Sequence, residues 1–270
     1  MMHSDVVGWG PTTEEAHGEH CMNIRPQTAS IRKIPAPSAP ASASAQEPLI
    51  ARADFLFLNN RGEIEDRNRP IPLRAPFLDA FSAFSHGTLM PTPSGPVAVE
   101  DLLPGDSVLT ENGGPQTLLW KGSWQTTPHA GTELIRVAAD AFGDGFPSRD
   151  MIFGPATRVI RRHPAVQARL GMDKVSLPLA DLIDGIAVVG ITPPRPITLC
   201  HLLFDRHHSI RACGLEVESY HPGPLHRLSL SQELRAIFLG MFPHLGCISD
   251  LDAPRFTRFS SADLELLEVS

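Results

Sequence analysis

Between Phe84 and about Gly223 the apolar residues come in short runs, each cut off by turn-forming residues, and this spacing restricts the fold more than any other feature. Residues 88–92 and 96–99 flank Pro93-Ser94-Gly95. Residues 107–110 and 117–120 flank Glu111-Asn112-Gly113-Gly114, where Asn-Gly supplies the positive φ angles of a tight hairpin. Residues 134–137 and 151–153 flank a Gly- and Asp-rich excursion, and further runs follow at 175–179, 187–191, 197–203 and 209–212. No helical period alternates with these runs, so parallel βαβ units are not expected. The pattern predicts a mainly β domain of many short strands.

The flanks differ in chemistry. Residues 1–50 carry no periodic apolar pattern and end in a Pro/Ala/Ser tract, which is expected to be a disordered tail because it cannot bury enough surface to offset its ordering entropy. His17, His20 and Cys21 in that tail read as solvated side chains rather than metal ligands. Residues 51–79 are expected to form an entry hairpin and connecting arm: an apolar run at 53–58 meets the turn Asn59-Asn60-Arg61-Gly62, and Pro70, Pro72 and Pro76 exclude a central strand. Residues 80–223 make the β domain, and 224–270 a helical extension. In that extension Leu234, Ile237, Phe238 and Met241 fall on one helical face behind Ser229 and Ser231, with an expected end near Phe242. A second helix is expected after Ser260, with Asp263 in capping-box position.

Composition narrows the function classes. The formal charge is −7 and the chain is 42% hydrophobic, so it can build a core and lacks the basic stripe that nonspecific nucleic-acid binding needs. Every apolar run is interrupted well short of the roughly 18 residues of a membrane span. The opening Met1-Met2-His3-Ser4-Asp5 has neither the basic nor the apolar region of a signal peptide, so the expectation is a cytoplasmic protein or one exported by a leaderless route. Cys21, Cys200, Cys213 and Cys247 have no C-x-x-C spacing, which argues against a redox motif or structural zinc. No cofactor is implied. Gly143-x-Gly145 lacks the strand-to-helix setting of a phosphate loop.

Several blocks in order resemble the bacterial Hedgehog/intein (Hint) domain. They are Ala83-Phe84-Ser85-His86-Gly87-Thr88 with the following Leu102-Leu103-Pro104-Gly105-Asp106, then Trp120-Lys121-Gly122, Gly154-Pro155-Ala156-Thr157-Arg158-Val159, His201 to His207, and Gly214 to Gly223. The resemblance implies that family's compact, horseshoe-like β fold and its chemistry. In that chemistry a thiol attacks the preceding carbonyl in an N-to-S acyl shift, and a histidine assists departure of the amine. Family members open on Cys-Phe-x-x-Gly-Thr, and here the thiol position is Ala83. Where they carry Ser-Pro-x-His, this chain has Thr157 in place of the histidine. A methyl group cannot be a nucleophile, and a hydroxyl is a poor acid toward a departing amine. Ala83 and Thr157 therefore read as a vestigial site, and the chain as a folded binding or structural module for an unidentified peptide or protein.

Two enzymatic alternatives remain. The first is slow self-cleavage near Ser82-Ala83 through Ser82 or Ser85, although both are out of register and alternate residues of a strand face opposite sides. The second is a metal-dependent hydrolase built on His201, Asp205 and His207, a cluster whose spacing fits no closed zinc site. It reads better as a site-framing set. Cys213 reads as a buried inert thiol.

Overall fold

A computed structural model describes residues 50–126, 132–223, 229–245 and 253–269. The tail expected over 1–50, with His17, His20 and Cys21, lies outside the described residues apart from Ile50. Strands β1 (Ile50–Leu58) and β2 (Ile64–Pro72) form the upstream hairpin. Short strands follow: β3 (Phe84–Ser85), β4 (Leu89–Met90), β5 (Val97–Ala98), β6 (Ser107–Thr110), β7 (Gly114–Thr117) and β8 (Trp120–Gln125). The second half supplies β9 (Leu134–Val137), β10 (Met151–Phe153), β11 (Arg158–Arg161), β12 (Val175–Pro178) and β13 (Val188–Ile191), then β14 (Thr198–Leu203), β15 (Ser209–Ala212) and β16 (Leu215–Glu218). Three helices complete the chain: α1 (Pro164–Leu170), α2 (Gln232–Leu239) and α3 (Ser261–Val269). This is the mainly β architecture expected.

The strands form an eight-stranded sheet in the order β13-β9-β10-β3-β14-β8-β1-β2, a four-stranded sheet β12-β11-β16-β15, and the hairpins β4-β5 and β6-β7. Every pairing between these strands is antiparallel. The upstream hairpin is part of the large sheet: Ala53–Phe57 of β1 pair with Trp120–Trp124 of β8. The prolines at 70 and 72 fall in β2 at the sheet edge, where no neighbour requires their missing amides. The connecting arm therefore starts later than expected, because the first two prolines continue a strand.

Two apolar clusters flank the large sheet. One gathers Ala83, Phe84, Phe153, Leu202 and Phe204 with the small sheet's Val159 and Val217. The other gathers Phe55, Phe77 and Phe81 from the upstream segment with Trp120, Tyr220, Phe238 and Phe242. Trp120 is fully buried, its ring centroid 5.1 Å from that of Phe242 and 5.6 Å from that of Phe81, and its indole N–H donates to the Met241 carbonyl at 2.8 Å. Gly122 is required beneath it, since a Cβ there would overlap the Trp120 and Phe81 rings.

Three local outcomes differ from the sequence pattern. The hairpin after β6 takes its positive φ at Gly114 (65°) rather than at Asn112-Gly113 and closes there on β7 (register Thr110↔Gly114), so the run at 117–120 is split and Trp120 begins β8 against β1 and β14. Helix α1 was not expected, although Pro164 at its first position and left-handed Gly171 (φ 67°) at its end are ordinary start and stop signals. Helix α2 stops at Leu239, three residues short of Phe242. The caps are as expected: Ser231 accepts the Leu234 N–H, and Ser260 and Asp263 bond reciprocally ahead of α3. Among the described residues no helix is long and apolar enough to cross a membrane.

Trp120→Ala removes the ring on which the upstream hairpin, β8 and the segment after α2 converge. It should lower unfolding free energy by about 3–5 kcal/mol, read as the shift of a urea unfolding curve.

Candidate functional site

The junction is built by a short 3-10 turn, Leu78–Phe81, that delivers Ser82 and Ala83 to the inner strand β3. Ala83 is fully buried, and its N–H donates to the Cys200 carbonyl of β14 at 3.3 Å. Its own carbonyl accepts two donors: the Gly154 N–H at 2.8 Å and the Thr157 hydroxyl at 3.2 Å. Ala83 and Thr157, paired from separate sequence blocks, therefore meet in space. Gly154 makes the approach feasible, because a Cβ there would lie 2.5 Å from the Ser82 carbonyl carbon and oxygen. Ser82 is buried, and its hydroxyl has no hydrogen-bond partner among the described residues. Ser85 faces elsewhere, lining a surface hollow of about 380 Å³ with His86 and Thr198.

Beside Thr157 lies a cavity of about 330 Å³ whose walls include Asp79, Arg158, His201, Glu218, Tyr220 and Arg258. Glu218 occupies its centre of charge. The Arg258 guanidinium donates to Glu218 Oε2 at 2.7 Å and to the His221 carbonyl at 2.9 Å, and Arg158 Nε lies 3.9 Å from the other carboxylate oxygen. His207 Nδ1 accepts the Arg255 N–H at 3.1 Å, which leaves the ring proton on Nε2, 3.5 Å from Glu218. Burial opposes the charge on Glu218, but His207 and Arg258 outweigh it together and hold the carboxyl at about 2.

His201 is buried between the Phe84 and Tyr220 rings, and burial pushes its imidazole down to about 3. It is therefore neutral, with Nδ1 accepting the Leu202 N–H at 3.1 Å. Burial also raises Asp79 and Tyr220, and the Tyr220 hydroxyl has no hydrogen-bond partner among the described residues. Cys200 is the thiol held against the junction through its backbone, and burial pushes it up to about 11, far from a reactive thiolate. Cys213 is half-buried rather than buried. It sits in a turn, at φ 48°.

The three residues read as a framing set separate. His201 lines the cavity and His207 abuts Glu218, whereas the Asp205 side chain is 61% exposed and lies 3.8 Å from His208. Among the described residues no three His, Cys, Asp or Glu side chains converge as a metal site. The carboxylate that faces His207 is Glu218, which alternation along Leu215-Glu216-Val217-Glu218 marks as outward; all four residues are buried because both faces of β16 are covered. Arg258 comes from the C-terminal segment, and no local signal marks it.

The family model described as "Hint domain" matches residues 82–224, and the chain belongs to the Hint-domain family. That family carries out autoprocessing and splicing. Among solved structures the chain resembles a bacterial intein-like domain from Clostridium thermocellum, at 15% identity and a TM-score of 0.38 over 51% of this chain and 98% of that one. It also resembles a variant of the gp41-1 intein, at 14% identity and a TM-score of 0.31 over 52% and 99%. No curated protein matches the chain. Asp79 and Arg258 both lie outside the matched region, so two of the cavity's charged walls are additions to the family's own segment.

The buried ionisable groups give the fold a directional pH dependence. Folded His201 titrates near 3 against an ordinary 6.5, so the unfolded chain binds more protons below pH 6.5 and stability falls from there toward pH 3. His244, pushed down by burial to about 4, adds to the same loss. Glu218 adds a second loss below about 4.5, continuing toward 2. Urea midpoints measured across this range should fall with acid, and His201→Phe should make the slope shallower from pH 6.5 down to about 3, with the losses from His244 and Glu218 remaining. Identical slopes in both proteins would remove His201 from the account.

Proposed function

We propose that this Hint domain has lost self-cleavage and persists as a folded module whose cleft serves binding or structure. The observation that carries the reading is the junction itself. Ala83 offers no heteroatom to attack the Ser82 carbonyl, and Thr157 directs its hydroxyl to the carbonyl of Ala83, one residue beyond the bond that the family's chemistry would activate. The Cys200 thiol is silenced by burial. The segment upstream of the junction also supports the reading: β1 is an inner strand of the large sheet, and Phe55, Phe77 and Phe81 belong to its core. A domain that discards what precedes it has no need to fold around it.

A second reading rests on the buried, unpartnered Ser82 hydroxyl. Its attack on the Phe81 carbonyl would give an ester with the Ser82 amine released, and water would then cut the chain before Ser82. That reading needs a base beside Ser82 Oγ, and none of its described neighbours supplies one.

Intact mass of the purified chain, followed over days with and without hydroxylamine or added thiol, separates the two. The sample must be denatured first, because the hairpin would hold cut fragments together. A single unchanged mass is expected; fragments beginning at Ser82 or Ala83 would overturn the proposal. Ala83→Cys combined with Thr157→His should produce detectable thiol-dependent cleavage. A folded double variant that stays intact would show that more than two groups have been lost.

A further inference from the structure

A second cleft, sharing no wall residue with the cavity beside Thr157, lies along β11 and the loop after β9 and encloses about 490 Å³. Four cations line it, in a chain whose net charge is −7. Three of them are neutralised within the protein. Lys174 bonds Glu216 at 2.7 Å, Arg211 bonds both oxygens of Glu111 (3.0 and 2.6 Å), and Arg162 lies 3.2 Å from Asp173. Glu216 is further engaged by the Ser209 hydroxyl at 2.7 Å.

Arg161 is different. Its guanidinium lies 4.5 Å from the centre of the Phe142 ring and has no hydrogen bond or ion pair with any described residue. Asp144, on the same wall, forms no ion pair with it. Burial lowers its pKa with nothing to compensate, yet a guanidinium stays charged at any physiological pH. A partly desolvated cation without a counter-charge is costly, and its contact with the face of Phe142 uses none of its N–H donors, which stay free for a bidentate acceptor.

The rest of the cleft describes the body of such a ligand. Phe142, Phe146 and Leu215 give apolar walls, and Phe146 lies over Gly214 with part of its ring still exposed, where any Cβ at 214 would collide with it. The loop's amides point inward: Gly143 N–H bonds the Asp140 carbonyl, Gly145 N–H the Asp140 carboxylate, and Phe146 N–H the Gly143 carbonyl. A phosphate cradle of backbone amides is therefore not available, and recognition falls to the planar side chain. We propose that this cleft binds a carboxylate borne on an aromatic or aliphatic body, with Arg161 as its bidentate partner. Two sources carry that chemistry, a free organic acid and the C-terminus of a peptide.

The test uses the full chain and follows the Arg161 Nε–H and the Gly143 and Gly145 amide resonances by NMR. The probes are phenylacetate, the tripeptide Ala-Ala-Phe and its C-terminal amide. The tripeptide acid should shift these resonances saturably, with its amide at least about tenfold weaker, as expected for loss of a charge-assisted bidentate bond. Added salt should weaken the acid alone. Phenylacetate binding as well as the tripeptide points to free acids, and failure of phenylacetate alone points to a peptide terminus. Arg161→Met, which keeps an unbranched apolar stem but no guanidinium, should reduce acid binding about tenfold without altering the melting curve. Equal binding of acid and amide, or no binding of any probe to the wild-type chain, would overturn the proposal.

Discussion

Trp120 is fully buried where three distant parts of the chain meet. It begins β8, the strand that joins the upstream hairpin on one side to β14 on the other, and its ring is roofed by Phe81 from before the junction and Phe242 from after α2. Three stretches far apart in sequence thus share one buried aromatic. The indole N–H is satisfied by the Met241 carbonyl, so the ring carries no unpaired donor into the core. Gly122 leaves room for it. The described residues from Ile50 onward belong to one compact unit, and this seam is what binds the flanks to the Hint segment.

That union changes what the junction is. The residues around it are core: Ala80, Phe81, Ser82 and Ala83 are all buried, and β1 contributes a five-residue ladder to the sheet. The downstream flank is equally engaged, since Arg258 meets Glu218 and caps the His221 carbonyl inside the cavity. A buried carboxylate held ionised by a histidine and a guanidinium is costly to assemble and costly to break. The pair ties the small sheet's β16 to the segment before α3, and both partners line the cavity.

Much of this was legible in order and little of it in contact. The caps Ser231 and Ser260-Asp263 and the β-period runs are local signals that act over a few residues, and the structure uses them. Ala83 and Thr157 were singled out because the surrounding blocks resemble a known pattern, and the 3.2 Å bond between them places them together. Glu218 and Arg258 were not. One sits on a strand whose alternation suggests an outward carboxylate, and the other lies 40 residues away on an irregular segment. Asp205, which shares a short stretch with His201 and His207, turns to solvent because a loop residue follows no strand alternation.

The mainly β architecture, the membership of the family and the alanine at residue 83 follow from residue identity or from spacing along the chain. Three facts come from the folded molecule alone: the upstream hairpin is an integral part of the large sheet, Glu218 rather than Asp205 faces His207, and Arg161, unlike the other cations of the second cleft, has no counter-charge among the described residues. Those facts depend on burial and pairing between strands distant in sequence, where the energy of a charge or a ring is set by what surrounds it and not by what precedes it.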